Sequence, residues 1–297
     1  MVPPILHARP SPLPEQAFRP PYDASMQLSD RVAVVTGAGR GIGRALAMRF
    51  QQAGARGVVV ADMLADDVAK TVAEMNALRP GSALGVVCDV STPEGNEHLV
   101  AQAENAFGPI DLFFANAGIG AGTDLDTTDD VWERVLQVNT MSHVYAARIL
   151  VPGWVARGEG YFCSTASAAG LLSQIGSAPY SVSKHAAVAF AEWLSITYGD
   201  RGVRVSCLCP MGVNTMLLNG PAEAGAVDNV GAATVKMAGA VLEPETVADI
   251  TYEAIEAERF LVLPHPEVRA FVQRKADDID RWLDGMRRLQ ARVTGTA

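Results

Sequence analysis

One doubly wound α/β domain, a seven-stranded parallel sheet with an added C-terminal helix, is predicted by three observations. From Arg31 onward, short β-branched runs alternate with longer stretches of helical period, the mark of a parallel sheet covered on both faces. A glycine-rich turn follows the first of these runs directly. The chain has 297 residues, of which 49% are hydrophobic and 19% charged, enough apolar length to bury one large core.

Residues 1–28 stand apart from this pattern. Seven of the 17 prolines fall within the first 21 positions, a density that forbids helix and strand and removes backbone donors. A flexible tail is expected there; the alternatives are a polyproline segment that binds a partner and a gene start placed too early, before Met26. The domain then covers 29–265. Its strands are predicted as RVAVVT from Arg31, GVVVAD from Gly57, ALGVVCD from Ala83, IDLFFAN from Ile110, GYFCST from Gly160, VRVSCLC from Val203 and RFLVLP from Arg259.

Helices are expected over 131–157 and 179–198, both with small or apolar residues on nearly every face. In the second, Ala186, Ala187, Val188, Ala189, Phe190, Ala191, Trp193, Leu194 and Ile196 cannot all face one sheet. A helix that is apolar all round must be covered twice, which predicts a subunit interface and a homodimer or homotetramer. The stretch 216–242 is rich in Ala and Gly with few charges, which predicts a mobile loop over the substrate. The extension, 266–297, places Val268, Phe271, Val272, Ile279, Trp282, Leu283, Met286, Leu289 and Val293 at the spacing of one amphipathic helix. Packing is its default role, and covering the active site or a neighbouring subunit is the alternative.

Several function classes are disfavoured by composition. The net charge is −9 and no basic run stands out, so a nucleic-acid surface is not expected. No apolar stretch approaches the roughly 18 residues of a membrane span and no apolar signal core opens the chain, so cytoplasmic residence is expected. Cys88, Cys163, Cys207 and Cys209 lie in apolar, strand-like segments without metal-ligand spacing and read as buried thiols.

The turn after the first strand reads TGAGRGIG, with Thr36, Gly37, Gly39, Arg40, Gly41, Ile42 and Gly43, and a helical run begins near Arg44. Glycine permits a tight turn and lets backbone N–H groups approach a diphosphate, which the positive end of the following helix also favours. Placed between strand and helix, this is a dinucleotide site of Rossmann type. Asp62 ends the second strand, 19 residues after Gly43, where a carboxylate accepts hydrogen bonds from both hydroxyls of an adenosine ribose. It would repel a 2′-phosphate by about 1 to 4 kcal/mol at contact. Arg40 pulls the other way, because a guanidinium beside the ribose pairs with that phosphate. The strand-end carboxylate is fixed whereas a long side chain is free to turn to solvent, so NAD is expected, with NADP the alternative. Asp89, closing the third strand, is placed either to hydrogen-bond the adenine amine or to cap the next helix.

Tyr180 and Lys184, in YSVSK, are four residues apart on one helical face. Bringing a phenol from its usual pKa near 10 to about 7 requires roughly 4 kcal/mol of differential stabilisation, which an ammonium and a cationic nicotinamide together supply. Ser167 lies 13 residues before Tyr180 in STASAAG, and Asn139 a further 28 residues back in VLQVNT. Together with TGAGRGIG and the NAG of Asn116, Ala117 and Gly118, the sequence resembles the short-chain dehydrogenase/reductase family over roughly residues 29–265.

The resemblance implies roles for the matching positions. Tyr180 would be the general acid/base for a substrate hydroxyl as hydride passes to the nicotinamide. Lys184 would lower the pKa of Tyr180 and hold the nicotinamide ribose. Ser167 would bind the substrate oxygen, with Ser164 and Thr165 as competing hydroxyls in the same segment. Asn139 would hold a water that links Lys184 to solvent. Asn116, Ala117 and Gly118 would line the adenosine ribose, with Val90 beside the adenine. After the sixth strand the family reads Pro-Gly; here the stretch is Pro210, Met211, Gly212, Val213, Asn214, Thr215. Val213 and Thr215 still fit contacts to the carboxamide, while Met211 in place of glycine leaves the local backbone in question.

Leu171, Leu172, Met211, Leu217 and Leu218 suggest an apolar pocket and hence hydrophobic secondary alcohols or ketones. No Arg or Lys occurs among these candidates, which disfavours acidic substrates. His143 and His185 lack metal-ligand spacing and read as helix histidines with a local partner. The leading expectation is an NAD-dependent oxidoreductase acting on CH–OH groups. The alternatives are an NADP-dependent carbonyl reductase and a dinucleotide-sensing regulator without turnover.

Overall fold

The computed structural model describes residues 26–220 and 229–296, so the leader expected to be a flexible tail lies outside the described residues. Its centre is a parallel sheet of seven strands: β1 (Val32–Thr36), β2 (Gly57–Asp62), β3 (Ala83–Val87), β4 (Leu112–Ala115), β5 (Gly160–Thr165), β6 (Val203–Leu208) and β9 (Leu261–Val262). The spatial order is β3-β2-β1-β4-β5-β6-β9, so the strand order reverses beside β1 and a crevice opens above the carboxyl ends of β1 and β4. All seven expected strands form, the last reduced to two residues paired with Cys207 and Leu208.

Side-chain alternation along each strand divides the core. Ala33, Val35, Val58, Val60, Phe114 and Cys163 face one layer, made by α1 (Gly41–Gln52), α2 (Ala65–Leu78) and α10 (Pro244–Glu256). Val32, Val34, Val59, Phe113 and Phe162 face the other, made by α3 (Pro93–Phe107), α5 (Ser142–Arg157) and α7 (Ala178–Tyr198). Because both faces are covered, the strands are continuous apolar runs, every residue of β1 and β5 being buried.

Three elements differ from expectation. Over 131–157 the chain forms α4 (Asp129–Leu136), a π turn (Gln137–Met141) and then α5 rather than one helix. The turn is held from a distance. Asn139 Nδ2 donates to the Ile119 carbonyl at 2.9 Å and to Ser183 Oγ at 3.0 Å, and Thr140 Oγ1 donates to the Ser183 carbonyl at 2.9 Å. Local apolar period carries no trace of such partners, and π turns of this kind concentrate at functional sites. The stretch 216–242 contains helices α8 (Met216–Asn219) and α9 (Asn229–Ala238) instead of being loop throughout, and β8 (Val241–Leu242) pairs with β7 (Gly212–Val213). Its residues 221–228 lie outside the described residues.

The C-terminal segment is two helices, α11 (Glu267–Asp277) and α12 (Ile279–Thr294), rather than one. Asp278 breaks them in an extended conformation and caps α12, its Oδ1 accepting from the Arg281 N–H at 3.0 Å. The signal was present in the sequence, since Asp is a strong N-cap residue that a purely apolar period overlooks. Among the described residues no helix is long and apolar enough to cross a membrane. Of the four thiols, Cys163, Cys207 and Cys209 are buried, while Cys88 is half-buried at the rim of the cleft.

Candidate active site

A cleft of about 770 Å³ runs over the carboxyl ends of the strands, floored by the glycine turn and flanked by Tyr180 and Lys184. Its nucleotide side is built from close backbone approach. Gly37 and Gly41 have φ of 61° and 58°, which glycine adopts without strain. A Cβ at Gly43 would collide with the Gly37 carbonyl and with the Asn116 amide, so the turn closes only on glycine. Thr36 Oγ1 accepts from the Asn116 and Ala117 N–H groups at 2.9 and 3.1 Å, and Asn116 Nδ2 returns to the Thr36 carbonyl at 3.0 Å. Arg40 caps α1 without a side-chain hydrogen bond, so the first-turn N–H groups of Gly41, Ile42 and Gly43, all lining the cleft, are left for an anion.

Gly39 departs from the expected set, because it does not line the cleft: its N–H points to Asp62 Oδ2 at 3.1 Å. Asp62 also accepts from the Leu64 N–H at 3.2 Å. A carboxylate offers about four lone-pair sites, so two remain for ribose hydroxyls. Arg40 is exposed and leans toward Asp67, 3.9 Å away. The ribose position is thus governed by a fixed negative charge, and this side fits NAD better than its 2′-phosphate analogue.

Asp89 and Val90 both line the cleft, and Asp89 does not cap the next helix. Thr92 does, accepting from the Gly95 N–H at 3.0 Å, while Asp89 accepts from the Ser91 N–H at 2.9 Å and from Arg134 Nη1 at 3.2 Å. Partial burial raises the Asp89 pKa, but the Ser91 and Arg134 contacts prevail and hold it below the usual carboxylate value. Arg134, which also donates to Ser91 Oγ at 2.8 Å, closes this end of the cleft and was not identified from the sequence.

At the other end, Gly170 brings the turn after β5 against the Lys184 carbonyl, where a Cβ would clash, and this seats Ser167 beside Tyr180. The competing hydroxyls are engaged elsewhere. Ser164 shares a 2.9 Å hydrogen bond with His143 Nδ1, and Thr165 Oγ1 donates to Asn116 Oδ1 at 3.0 Å. Lys184 Nζ donates to the Thr165 carbonyl at 2.8 Å and lies 5.7 Å from the centre of the Tyr180 ring. Burial brings the Lys184 pKa down to about 8.

Two expectations about the tetrad change. Burial pushes the Tyr180 phenol above its ordinary pKa, opposed by a hydrogen bond with Ser167, so protein groups alone do not make it acidic. Asn139 is fully buried and does not line the cleft; its amide donors are used by Ile119 and Ser183, and its Oδ1 accepts from the Ile119 N–H at 2.8 Å. The side chain positions the wall beneath Lys184; both amide protons are used, and one lone pair of Oδ1 remains.

Pro210, Val213 and Thr215 line the cleft as expected. Met211 fits without positive φ, so the departure from Pro-Gly is accommodated. The reason is His265, buried beneath it and missed in the sequence because its partners lie far back in the chain. The Met211 N–H donates to His265 Nδ1 at 3.1 Å, which makes Nε2 the protonated nitrogen, donating to the Gly212 carbonyl at 3.0 Å. Of the substrate candidates, Ser167, Met211, Leu217 and Leu218 line the cleft. Leu172 lines a neighbouring cavity, and Leu171 lines neither, packing against the buried cluster of Ala168, Leu172 and Val268. Among the described residues no group of three His, Cys, Asp or Glu could hold a metal.

The family model for short chain dehydrogenases matches residues 31–224. The chain is 36% identical over 263 residues to a 1-deoxy-11-beta-hydroxypentalenate dehydrogenase of Streptomyces exfoliatus, a match covering 86% of this chain and 90% of the relative. It is 35% identical over 196 residues to the meso-2,3-butanediol dehydrogenase of Serratia marcescens, covering 66% and 76% of the two chains. A short chain dehydrogenase/reductase from Burkholderia phymatum, solved in complex with NAD, superimposes with a TM-score of 0.77 at 33% identity, covering 86% of this chain and 96% of the other. With the sheet order, the glycine turn and the Ser167, Tyr180, Lys184 cluster in one cleft, these matches place the chain in the short-chain dehydrogenase/reductase family of oxidoreductases.

Proposed function

We propose that the protein is an NAD-dependent oxidoreductase that interconverts a hydrophobic secondary alcohol and its ketone. The observation that carries this reading is that Tyr180, Lys184 and Ser167 line the same cleft as the glycine turn and Asp62. When bound, NAD supplies the hydride acceptor and, in its oxidised form, a positive charge near the phenol.

The chain's own groups supply the rest. Ser167 Oγ accepts from the Ala169 N–H at 3.1 Å and donates to the Pro210 carbonyl over a long 3.4 Å, a weak bond that its proton exchanges for the substrate oxygen. Tyr180 takes the carbinol proton on its phenolate oxygen and returns it in the reverse direction. Because burial raises its pKa, Tyr180 depends on nearby cationic charge, and the Lys184 ammonium is the protein's contribution. Met211, Leu217 and Leu218 exclude water from the carbinol carbon. Two relatives named for hydroxylated compounds, hydroxypentalenate and butanediol, support an alcohol or ketone as substrate.

Assembly as a homodimer or homotetramer belongs to the same reading. Val182, Trp193 and Ile196 form an outward apolar stripe on α7, with Trp193 52% and Ile196 83% exposed.

The test is a Tyr180→Phe variant assayed with a panel of hydrophobic alcohols at the nicotinamide absorbance band. Turnover is expected to fall by about 10² to 10⁴, while thermal stabilisation by NAD, larger than that by NADP, persists. Substantial remaining turnover would reject the acid/base role, and stronger stabilisation by NADP would reject the cofactor assignment.

A further inference from the structure

A second cavity of about 730 Å³ opens from the active-site cleft, and Gln174, Met211 and Val235 line both. The cleft proper must also accommodate a dinucleotide, so a substrate larger than a small alcohol extends into this neighbour, whose size is that of a ligand pocket. Its wall is apolar, with Leu172, Phe271, Trp282, Met286 and Leu289, and the Phe271 and Trp282 rings stand 6.4 Å apart.

The rim is cationic. Arg274 of α11 and Arg281 and Arg292 of α12 line the cavity, and among the described residues none of the three forms an ion pair. Arg274 instead lies over the Phe271 ring at 5.8 Å. Arg281 and Arg292 are eleven residues apart on one helix, about 16 Å along its axis, so they bracket the opening. Two acids, Asp277 and Asp278, line the same cavity, so three guanidinium groups outweigh two carboxylates, one of which also caps α12.

The geometry points to a substrate with a bulky apolar body and an anionic group remote from its carbinol, a hydroxy acid whose carboxylate is held by Arg274 and Arg281. An unpaired guanidinium beside an apolar wall is matched by such an amphipathic anion. This reverses the expectation that acidic substrates are disfavoured, because the arginines belong to the C-terminal extension, outside the residues the family motifs mark. It rests on the oxidoreductase reading above.

The probes are a hydroxydecalin carboxylic acid, its methyl ester and cyclohexanol, assayed with NAD. The acid is expected to exceed the ester in kcat/KM by about tenfold, the worth of one charge-assisted hydrogen bond at an open rim. Arg274→Gln and Arg281→Gln each reduce that acid-over-ester ratio several-fold. Gly285→Phe places a ring on the cavity face of α12, where a Cβ meets only Arg288 Nη2 at 3.9 Å, and raises KM for acid and ester relative to cyclohexanol. An acid-over-ester ratio near one, or a ratio that neither arginine substitution moves, overturns the inference. Calorimetric titration of the acid into the enzyme–NADH complex separates the two readings. Binding that weakens in the arginine variants while no alcohol is oxidised keeps the anion site and rejects the oxidoreductase; absent binding, or binding equal in wild type and variants, rejects the anion site.

Discussion

On the nucleotide side of the cleft, Gly37, Gly43, Thr36, Asn116 and Asp62 lock strand ends together through backbone hydrogen bonds and contacts that leave no room for a side chain. On the substrate side, α8 and α9 border the cleft, and α11 and α12 border the cavity beside it, with few ties. Gln174 Nε2 reaches the Gly231 carbonyl at 3.1 Å, Lys275 Nζ reaches the Leu171 carbonyl at 2.7 Å, and α12 buries no residue. The first wall belongs to the sheet and shares its rigidity. The second is attached to it, and such peripheral elements can change specificity without disturbing the fold.

The largest effect that tests this contrast is expected from Gly43→Ala. The added methyl forces the Gly37 carbonyl away, so NAD-induced thermal stabilisation should vanish and stability fall by about 1 to 3 kcal/mol in denaturant melts. Retained NAD stabilisation would show that the turn is looser than the contacts require.

A smaller effect is expected from pH, because His143 and Lys184 are buried beneath the fixed wall. Burial, with the Lys184 charge adding to it, brings the His143 pKa down from 6.5 to about 3. Between those values the unfolded chain binds a proton that the folded one refuses, so stability falls as pH falls, with a slope of up to about 1.4 kcal/mol per unit. Lys184, depressed from 10.5 to about 8, acts in another window: between those values the unfolded chain again holds the extra proton, so stability rises with pH. Denaturant melts of wild type and His143→Leu at pH 6 and pH 4 check the acid limb, and the variant should lose most of the difference.

The smallest effect is expected from Asp278→Ala, which removes the cap of α12 at a cost of about 1 kcal/mol. Hydrogen exchange should quicken over 279–294 and KM should rise for bulky alcohols, with the NAD dissociation constant unmoved. A parallel loss of NAD affinity would mean that the two walls are coupled, and the contrast would break.

Much of the first wall could be read from residue order, because its chemistry is local. A glycine turn between a strand and a helix, a carboxylate closing the next strand and a Tyr–Lys pair four apart each fix their geometry within a few residues. Gly39 is instructive, since the motif named it while the structure turned its N–H to Asp62. Asn139 was recognised by position, yet its side chain serves Ile119 and Ser183, 20 and 44 residues away. Arg134 and His265 escaped notice for the same reason, their partners lying 45 and 54 residues distant.

Residue order pointed to the alternation of burial along the strands, the phosphate-binding turn and the Tyr180–Lys184 pair, because period, glycine and short spacing act over one or two turns of chain. Tertiary structure alone decided which hydroxyl faces Tyr180, that burial raises rather than lowers its pKa, and that the terminal segment breaks at Asp278 to bring three arginines to a cavity beside the cleft. Desolvation and cavity shape depend on what every distant segment contributes to one point in space, and no local stretch of sequence encodes that sum.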